Sequence, residues 1–532
     1  MSQASALARL DELLAPFTPD KPGLAALVSV GGEVVFERYL GGADLEHGAP
    51  VTAATRFHVA SVSKQFTAFA VLLEAEAGRI DLEADIHAYL PELADYGARV
   101  TVSHLVHHTG GLRDQWELMM LSGTPMDGLI RQSAIIEIAA RQRGLNFPPG
   151  TDFRYSNTGY ALLAEIVART SGKPFWRYLD EAVFAPLGMT QTLVYGDATR
   201  LLPDRAMSYR LTPRGEVRLA RLNYANYGAT SLNTTPRDLA KWTRELLHPR
   251  LFPAALIQRM TTPGALSDGA PLNYGFGIMR DVLGGRAALT HGGGDAGYRA
   301  ACNSFPADDA TVVVLSNGAA DVGAIADALA DAFLSGGAPP AAEPTTPDAA
   351  TLQRLAGYYV SGWGPGMTLT AEDGKLTAHV PGGPIEAKFL PDGSFYLFSP
   401  AYRLTRQPDG TLTETQGVGG RNLLHHPATR VQPSPEELAA LAGTYRSDEI
   451  DSTYTLTATD KGLRLSCLRF PPIDLAPAGQ DAFDGPNLRL TMRRAPTGFM
   501  VSTGRLKGLA FEKVGWPTSA SFSKSRPSVG CA

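Results

Sequence analysis

The sequence predicts a domain of mixed helices and strands followed by two small antiparallel β-barrels, and three observations predict it. Helical and strand periodicities are interspersed over residues 1–335. Two Pro/Ala-rich stretches, Ser335–Ala350 (SGGAPPAAEPTTPDAA) and His426–Glu436 (HPATRVQPSPE), have the composition of linkers. Beyond the first linker, Leu355-Ala356-Gly357-Tyr358 returns 86 residues later as Leu441-Ala442-Gly443-Thr444, followed by Tyr445. Thr368-Leu369-Thr370 likewise returns as Thr455-Leu456-Thr457, each with an Asp/Gly turn behind it. That period is too long for a solenoid unit and suits two copies of a small all-β domain of about eight strands. The expected divisions are 1–335, 351–432, 433–516 and a Ser-rich tail over 517–532.

Taken in order, Ala25–Val30 and Glu33–Tyr39 alternate around Gly31-Gly32, a hairpin signal. Ser63–Ala77 is apolar at helical spacing, with Gly78 placed to stop the helix. Thr158–Thr170 and Asp321–Phe333 read as helices, and Thr311–Leu315 as a buried strand. Past the first linker the chain becomes short strands separated by Gly and Asp turns. Linker composition implies few contacts across Ser335–Ala350.

Apolar residues make up 44% and charged residues 19% of the 532 residues, and the formal net charge is −5. Nothing in this balance invites nucleic acid or an anionic membrane. Met1–Leu14 carries Arg9, Asp11 and Glu12 and lacks the apolar core of a secretory signal. The most apolar stretch, Thr311–Leu334, is broken by Asp321, Asp327 and Asp331, so no membrane span is expected. Cys302, Cys467 and Cys531 are few and far apart, which suits a reducing compartment and makes the cytoplasm the expected location.

The chemistry concentrates at Ser61-Val62-Ser63-Lys64, where an apolar helix begins. Residues three apart share a helix face, so Ser61 Oγ and Lys64 Nζ can meet while Ser63 points elsewhere. The helix dipole favours an alkoxide at its N-terminus, and a buried Lys64 could shed its proton to act as base. Alone the motif is weak, since Ser521-Phe522-Ser523-Lys524 matches it in the tail. Context strengthens the first copy. Tyr155-Ser156-Asn157 lies between a Pro-Gly turn and a helix, offering a proton relay at Tyr155 and a donor to a substrate carbonyl at Asn157. His291-Gly292-Gly293-Gly294 reads as a strand edge stripped of side chains, along which a substrate backbone can lie. The N–H groups of Ser61 and Gly294 would form an oxyanion hole. No metal or organic cofactor is needed for such chemistry.

These motifs in this order resemble the penicillin-recognising serine hydrolases: class C β-lactamases, their esterase relatives and the D-alanyl-D-alanine peptidases. Leu105–Asp114, Gly228–Trp242 and Tyr274–Ile278 extend the resemblance over residues 20–335. It implies an α+β β-lactamase/transpeptidase-like domain, an antiparallel sheet with helices on both faces plus a helical lobe. A narrower resemblance, through Ser61–Thr67, Gly111–Trp116, Gly443–Asp451 and the two barrels, is to the three-domain D-aminopeptidases. It implies release of N-terminal D-residues, with a loop of the last barrel reaching the site. Gly479–Asn487 is the matching segment, shorter here, and Asp484 its acidic residue. Penicillin- and D-alanyl-D-alanine-handling relatives usually carry lysine where His291 stands, so a substrate carboxylate near the scissile bond is disfavoured. Asp295 and Asp484 could attract a substrate ammonium.

The expected activity is therefore an acyl-enzyme hydrolase of peptides and amino acid amides. An esterase is the leading alternative, a β-lactamase or carboxypeptidase the next, and a non-catalytic binding module the last. Small-molecule or peptide substrates are the expected partners, and a homodimer is admitted. Gly292-x-Gly294-x-x-Gly297 matches a dinucleotide fingerprint but precedes a strand, so the helix N-terminus it requires is missing. His104, His107 and His108 have metal-compatible spacing without a carboxylate partner.

Overall fold

The computed structural model describes residues 3–212, 214–335, 344–380, 383–398, 402–415, 421–493 and 497–514. The expected Ser-rich tail, and half of the first linker (residues 336–343), lie outside them. The first domain is built on a six-stranded antiparallel sheet in the order 279–283, 286–295, 298–305, 310–316, 24–30, 33–40. The hairpin expected around Gly31-Gly32 closes with Val30 opposite Glu33, both glycines holding positive φ.

The central strands are apolar on both faces because both faces are covered. Along Leu24–Val30 and Ala310–Ser316 alternate residues enter different cores. Leu24, Ala26, Val312 and Val314 pack under the helices Gln3–Leu14 and Val322–Phe333. Ala25, Val313 and Leu315 face the other way, toward Phe66, Phe69 and Trp242. Those aromatics come from the helices Ser63–Glu76 and Pro236–Leu247. Asp321 caps Val322–Phe333 by accepting from Ala324 N at 3.0 Å. The helical lobe comprises Gln115–Ser122, Gln132–Ala140 and Asn157–Ser171, among others. Among the described residues no helix is long and apolar enough to cross a membrane.

The 86-residue repeat is visible in the structure. Short helices, Ala349–Leu355 and Pro435–Leu441, each lead into a strand whose tyrosine clasps the helix end. Tyr359 Oη donates to Leu355 O at 3.0 Å and Tyr445 Oη to Leu441 O at 2.7 Å. The second copy closes as an eight-stranded barrel over Gly443–Lys513. The first is a nine-stranded, nearly closed sheet whose terminal strands, Gly383–Glu386 and Lys388–Phe389, are neighbours in the chain.

One expectation needs correction. The linker composition suggested few contacts between the domains, yet the second barrel and the helical lobe share one core. Leu118, Leu121, Ile135 and Ile138 of the lobe join Tyr454, Leu465, Leu490 and Phe511 of the barrel. Tyr454 Oη donates to Leu121 O at 2.6 Å, and Arg113 pairs with Glu449 at 2.6 Å. A linker's own sequence reports its flexibility, not what its ends are packed against.

Candidate active site

After the strand Phe57–His58 the chain turns sharply at Ala60, which holds φ +46. A left-handed alanine costs on the order of 1 kcal/mol or more and persists only where surroundings fix it. The turn delivers Ser61 onto a short 3₁₀ segment, Ala60–Val62, immediately before the helix Ser63–Glu76. Ser63 does point away, its Oγ accepting from Leu232 N.

Lys64 is completely buried. Its Nζ donates to Ala229 O at 2.8 Å, Asn157 Oδ1 at 2.9 Å and Ser61 Oγ at 3.1 Å. Burial pushes its pKa from 10.5 down to about 7, Asp114 opposes the shift, and Arg505 assists it. A neutral amine has two N–H donors and one lone pair. The carbonyl oxygens of Asn157 and Ala229 can hold the two donors, which leaves the lone pair for the Ser61 hydroxyl.

Tyr155 is half-buried beside this pair, its hydroxyl enclosed, with Lys64 Nζ 4.8 Å from its ring centroid. Burial raises the phenol's pKa well above 10, outweighing the lowering by Ser61. Tyr155 therefore holds its proton at neutral pH and is placed to donate it. Asn157 begins the helix Asn157–Ser171, and both its N–H and its Nδ2 donate to Asp114 Oδ2 at 2.8 Å. Its oxygen faces Lys64, so the residue expected to contact a substrate carbonyl is largely engaged in orienting the lysine.

The strand Arg286–Asp295 forms the opposite wall. A Cβ on Gly293 would sit 2.2 Å from Val59 O, so glycine is required where this strand passes the Ser61 turn. Gly294 and Asp295 line a pocket of about 270 Å³ together with Ser61, Tyr155, Asn157 and Arg505. Asp295 accepts from Thr230 Oγ1 at 2.8 Å and Tyr224 Oη at 3.2 Å, and His58 Nε2 lies 3.2 Å away. Neither arginine nor lysine pairs with it among the described residues.

Two expected substrate contacts are corrected. His291 is buried and does not line the pocket. Its Nδ1 lies 2.6 Å from Gly292 O, so that nitrogen carries the proton and Nε2 accepts from Tyr274 Oη at 3.0 Å. Burial, aided by Lys64, drives its pKa to about 3, so it is uncharged at neutral pH. Asp484 lies away from the pocket, at the seam between the barrels. There it accepts from Arg489 at 2.7 Å, Tyr358 Oη at 2.5 Å and Gly366 N at 2.8 Å. The barrel segment that does reach the site is the loop 503–508, which brings in Arg505.

The decoys separate in space. The glycines of the dinucleotide-like pattern belong to a hairpin in which Asp295 pairs with Tyr298. His104 Nδ1 accepts from Thr101 N, His107 Nδ1 bonds Ser103 O, and His108 Nδ1 accepts from Ser156 N. Ser521-Phe522-Ser523-Lys524 lies outside the described residues. Asp114 and Arg505 were missed as site residues. Asp114 has a local signal, an acidic N-cap before Gln115–Ser122, whereas Arg505 has none.

A pocket-lining serine bonded to a buried lysine at a helix N-terminus, a protonated tyrosine beside them and a glycine-rich strand edge opposite define a serine acyl hydrolase on a β-lactamase-like scaffold. The β-lactamase family model matches residues 10–335, and the chain belongs to that family. It is a serine hydrolase. A D-aminopeptidase from Gluconobacter oxydans is 31% identical over 447 residues, covering 81% of this chain and 80% of its own length. A D-aminopeptidase from Brucella melitensis is 28% identical over 449 residues, covering 82% and 81%. The octameric penicillin-binding protein homologue from Pyrococcus abyssi superposes with TM-score 0.59 at 21% identity, covering 80% of this chain and 100% of that one. D-amino acid amidase from Ochrobactrum anthropi SV3 gives 0.53 at 23% identity, covering 62% and 99%. At these identities the structural likeness speaks for the fold.

Proposed function

We propose that this protein is a D-aminopeptidase, releasing N-terminal D-residues from short peptides and amino acid amides through an acyl-enzyme on Ser61. The observation that carries the reading is Asp295, a carboxylate on the pocket wall with no arginine or lysine paired to it among the described residues and His58 as its one basic neighbour, at 3.2 Å. It is held in place by Thr230 and Tyr224, and a substrate ammonium is the natural partner for it. A neutral His291 in place of a fixed cation is consistent with substrates that lack a carboxylate at the scissile bond. The preference for the D series rests on the two D-aminopeptidase relatives.

In this mechanism neutral Lys64 takes the proton of Ser61 as its oxygen attacks the carbonyl carbon. The N–H groups of Ser61 and Gly294 hold the oxyanion, and Tyr155 gives its proton to the leaving amine and is reprotonated by the Lys64 ammonium, which returns the lysine to its neutral form. Water, deprotonated by the same lysine, then releases the D-residue. Cys302 and Cys467 stand without a disulfide, which is compatible with a cytoplasmic enzyme acting on small substrates. The test compares D-alanine amide, L-alanine amide and N-acetyl-D-alanine amide. Turnover of the first alone is expected. Equal turnover of the acetylated compound, or turnover only of a cephalosporin or of D-alanyl-D-alanine ends, overturns the proposal.

A further inference from the structure

The second barrel does more than cover the lobe, because its loop 503–508 is clamped onto the catalytic domain. Glu117 accepts from Thr503 Oγ1 and from Arg505 N. Asn146 bridges the loop twice, donating to Arg505 O at 3.1 Å and accepting from Lys507 N at 2.8 Å. Arg113 donates to Gly508 O at 2.9 Å and to Lys507 O at 3.3 Å. So fixed, Arg505 lies with its Nη1 3.6 Å from Asp114 Oδ2 and its Nε 3.6 Å from Glu117 Oε1. That same oxygen of Asp114 receives both hydrogen bonds of Asn157, whose own oxygen holds Lys64.

We propose that Arg505 is a positioning residue for the Ser61–Lys64 pair, supplied by the second barrel and acting through Asp114 and Asn157. Asp114 anchors Asn157, and Asn157 aims the lysine. Asp114 is also a fully buried negative charge close to a residue that must be uncharged to act as base. Left alone, it would favour the ammonium form. Arg505 partly offsets that charge without touching Lys64, so the anchor is kept and its electrostatic penalty is reduced.

The other groups facing Lys64 do not take over this role. Asp295 favours the ammonium, as Asp114 does. His108 and His291 are both kept neutral chiefly by burial. Glu117 faces Arg505, and burial, with Asp114 adding to it, raises its carboxyl to about 7. Near neutral pH it is only partly ionised and cannot cancel the guanidinium.

The experiment measures the rate at which a p-nitrophenyl phosphonate labels Ser61 as a function of pH, on the full-length chain. Labelling reads the reactivity of the serine and does not depend on which acyl group or amine the enzyme prefers. Failure of this inference is therefore separable from failure of the D-aminopeptidase reading. For Arg505→Ala the midpoint of the pH–rate curve should move up by about one unit, with labelling at pH 7 slowed roughly fivefold. Arg505→Lys should restore most of the rate, and Glu117→Gln should leave the midpoint at or below the wild-type value. A uniform slowing of Arg505→Ala at every pH, with an unmoved midpoint, would mean that the loop only packs. That result overturns the proposal, as does a wild-type curve. Thermal melting of each variant identifies any that fail to fold, and Arg505→Met, which keeps the stem without the charge, then replaces Arg505→Ala.

Discussion

Replacing Lys64 with methionine should expose a stability cost that the wild-type protein carries at neutral pH. The ammonium is lost near pH 7 in the folded chain, against 10.5 ordinarily. Between those values the unfolded chain binds a proton that the native chain does not. Stability therefore rises with pH through this window, by up to about 1.4 kcal/mol per unit. Integrated over the titration, the cost is about 4 kcal/mol at pH 7 and about 2 kcal/mol at pH 9. Methionine cannot hydrogen-bond to Asn157 Oδ1 or Ala229 O, a loss on the order of 1–3 kcal/mol each, so the sign of the difference at one pH is not diagnostic. Its pH dependence is. Urea unfolding of both proteins at pH 7, 8 and 9 should show wild type gaining about 2 kcal/mol on Lys64→Met over that range, while the variant is inactive throughout. Other titrations are common to both chains and cancel. A difference that stays flat would mean that Lys64 remains an ammonium in the fold, and the general-base assignment would fall with it.

Ser61→Ala should cut hydrolysis by on the order of a thousandfold or more while shifting the melting temperature by only a few degrees, as calorimetry alongside a turnover assay can show. Asp295→Asn keeps an oxygen for Thr230 and removes the charge. The kcat/KM for D-alanine amide should fall about thirtyfold, roughly 2 kcal/mol, relative to that for an uncharged ester. Gly293→Ala places a Cβ 2.2 Å from Val59 O and should destabilise by about 1–3 kcal/mol, with activity lost because the Ser61 turn is displaced. Truncation at Leu334 uncovers Leu118, Leu121 and Ile135, and size-exclusion chromatography should show aggregation instead of a monomeric catalytic domain.

What could be read from the sequence was what local geometry determines. Ser61 and Lys64 are three residues apart, and a helix must bring them together. The strands beside Gly31-Gly32 and the helix after Asp321 are likewise set by short-range patterns. What escaped was long-range. Arg505 meets Glu117 across 388 positions, and no periodicity links them. Asp484 misled for a related reason, because a carboxylate bound to an arginine and a tyrosine in a seam has the same letter as one facing a substrate. That position 291 lacks the lysine of its carboxylate-handling relatives was legible in the sequence, but the burial of His291 and its bond to Tyr274 belong to the tertiary structure.

The core shared by the helical lobe and the second barrel also has a consequence during synthesis. The lobe residues Leu118–Ile138 leave the ribosome long before their partners Leu490, Phe499 and Phe511 exist. From residue 335 to residue 513, translation at about 5–20 residues per second takes on the order of ten to thirty seconds. Throughout that interval the nascent chain holds a nearly finished catalytic domain with an uncovered apolar face, a natural target for chaperones. Arg505 arrives at the end of the same interval. Maturation of the site is thus tied to completion of the chain, and a ribosome stalled within the barrels would carry a hydrolase domain whose reactive pair is not yet in order.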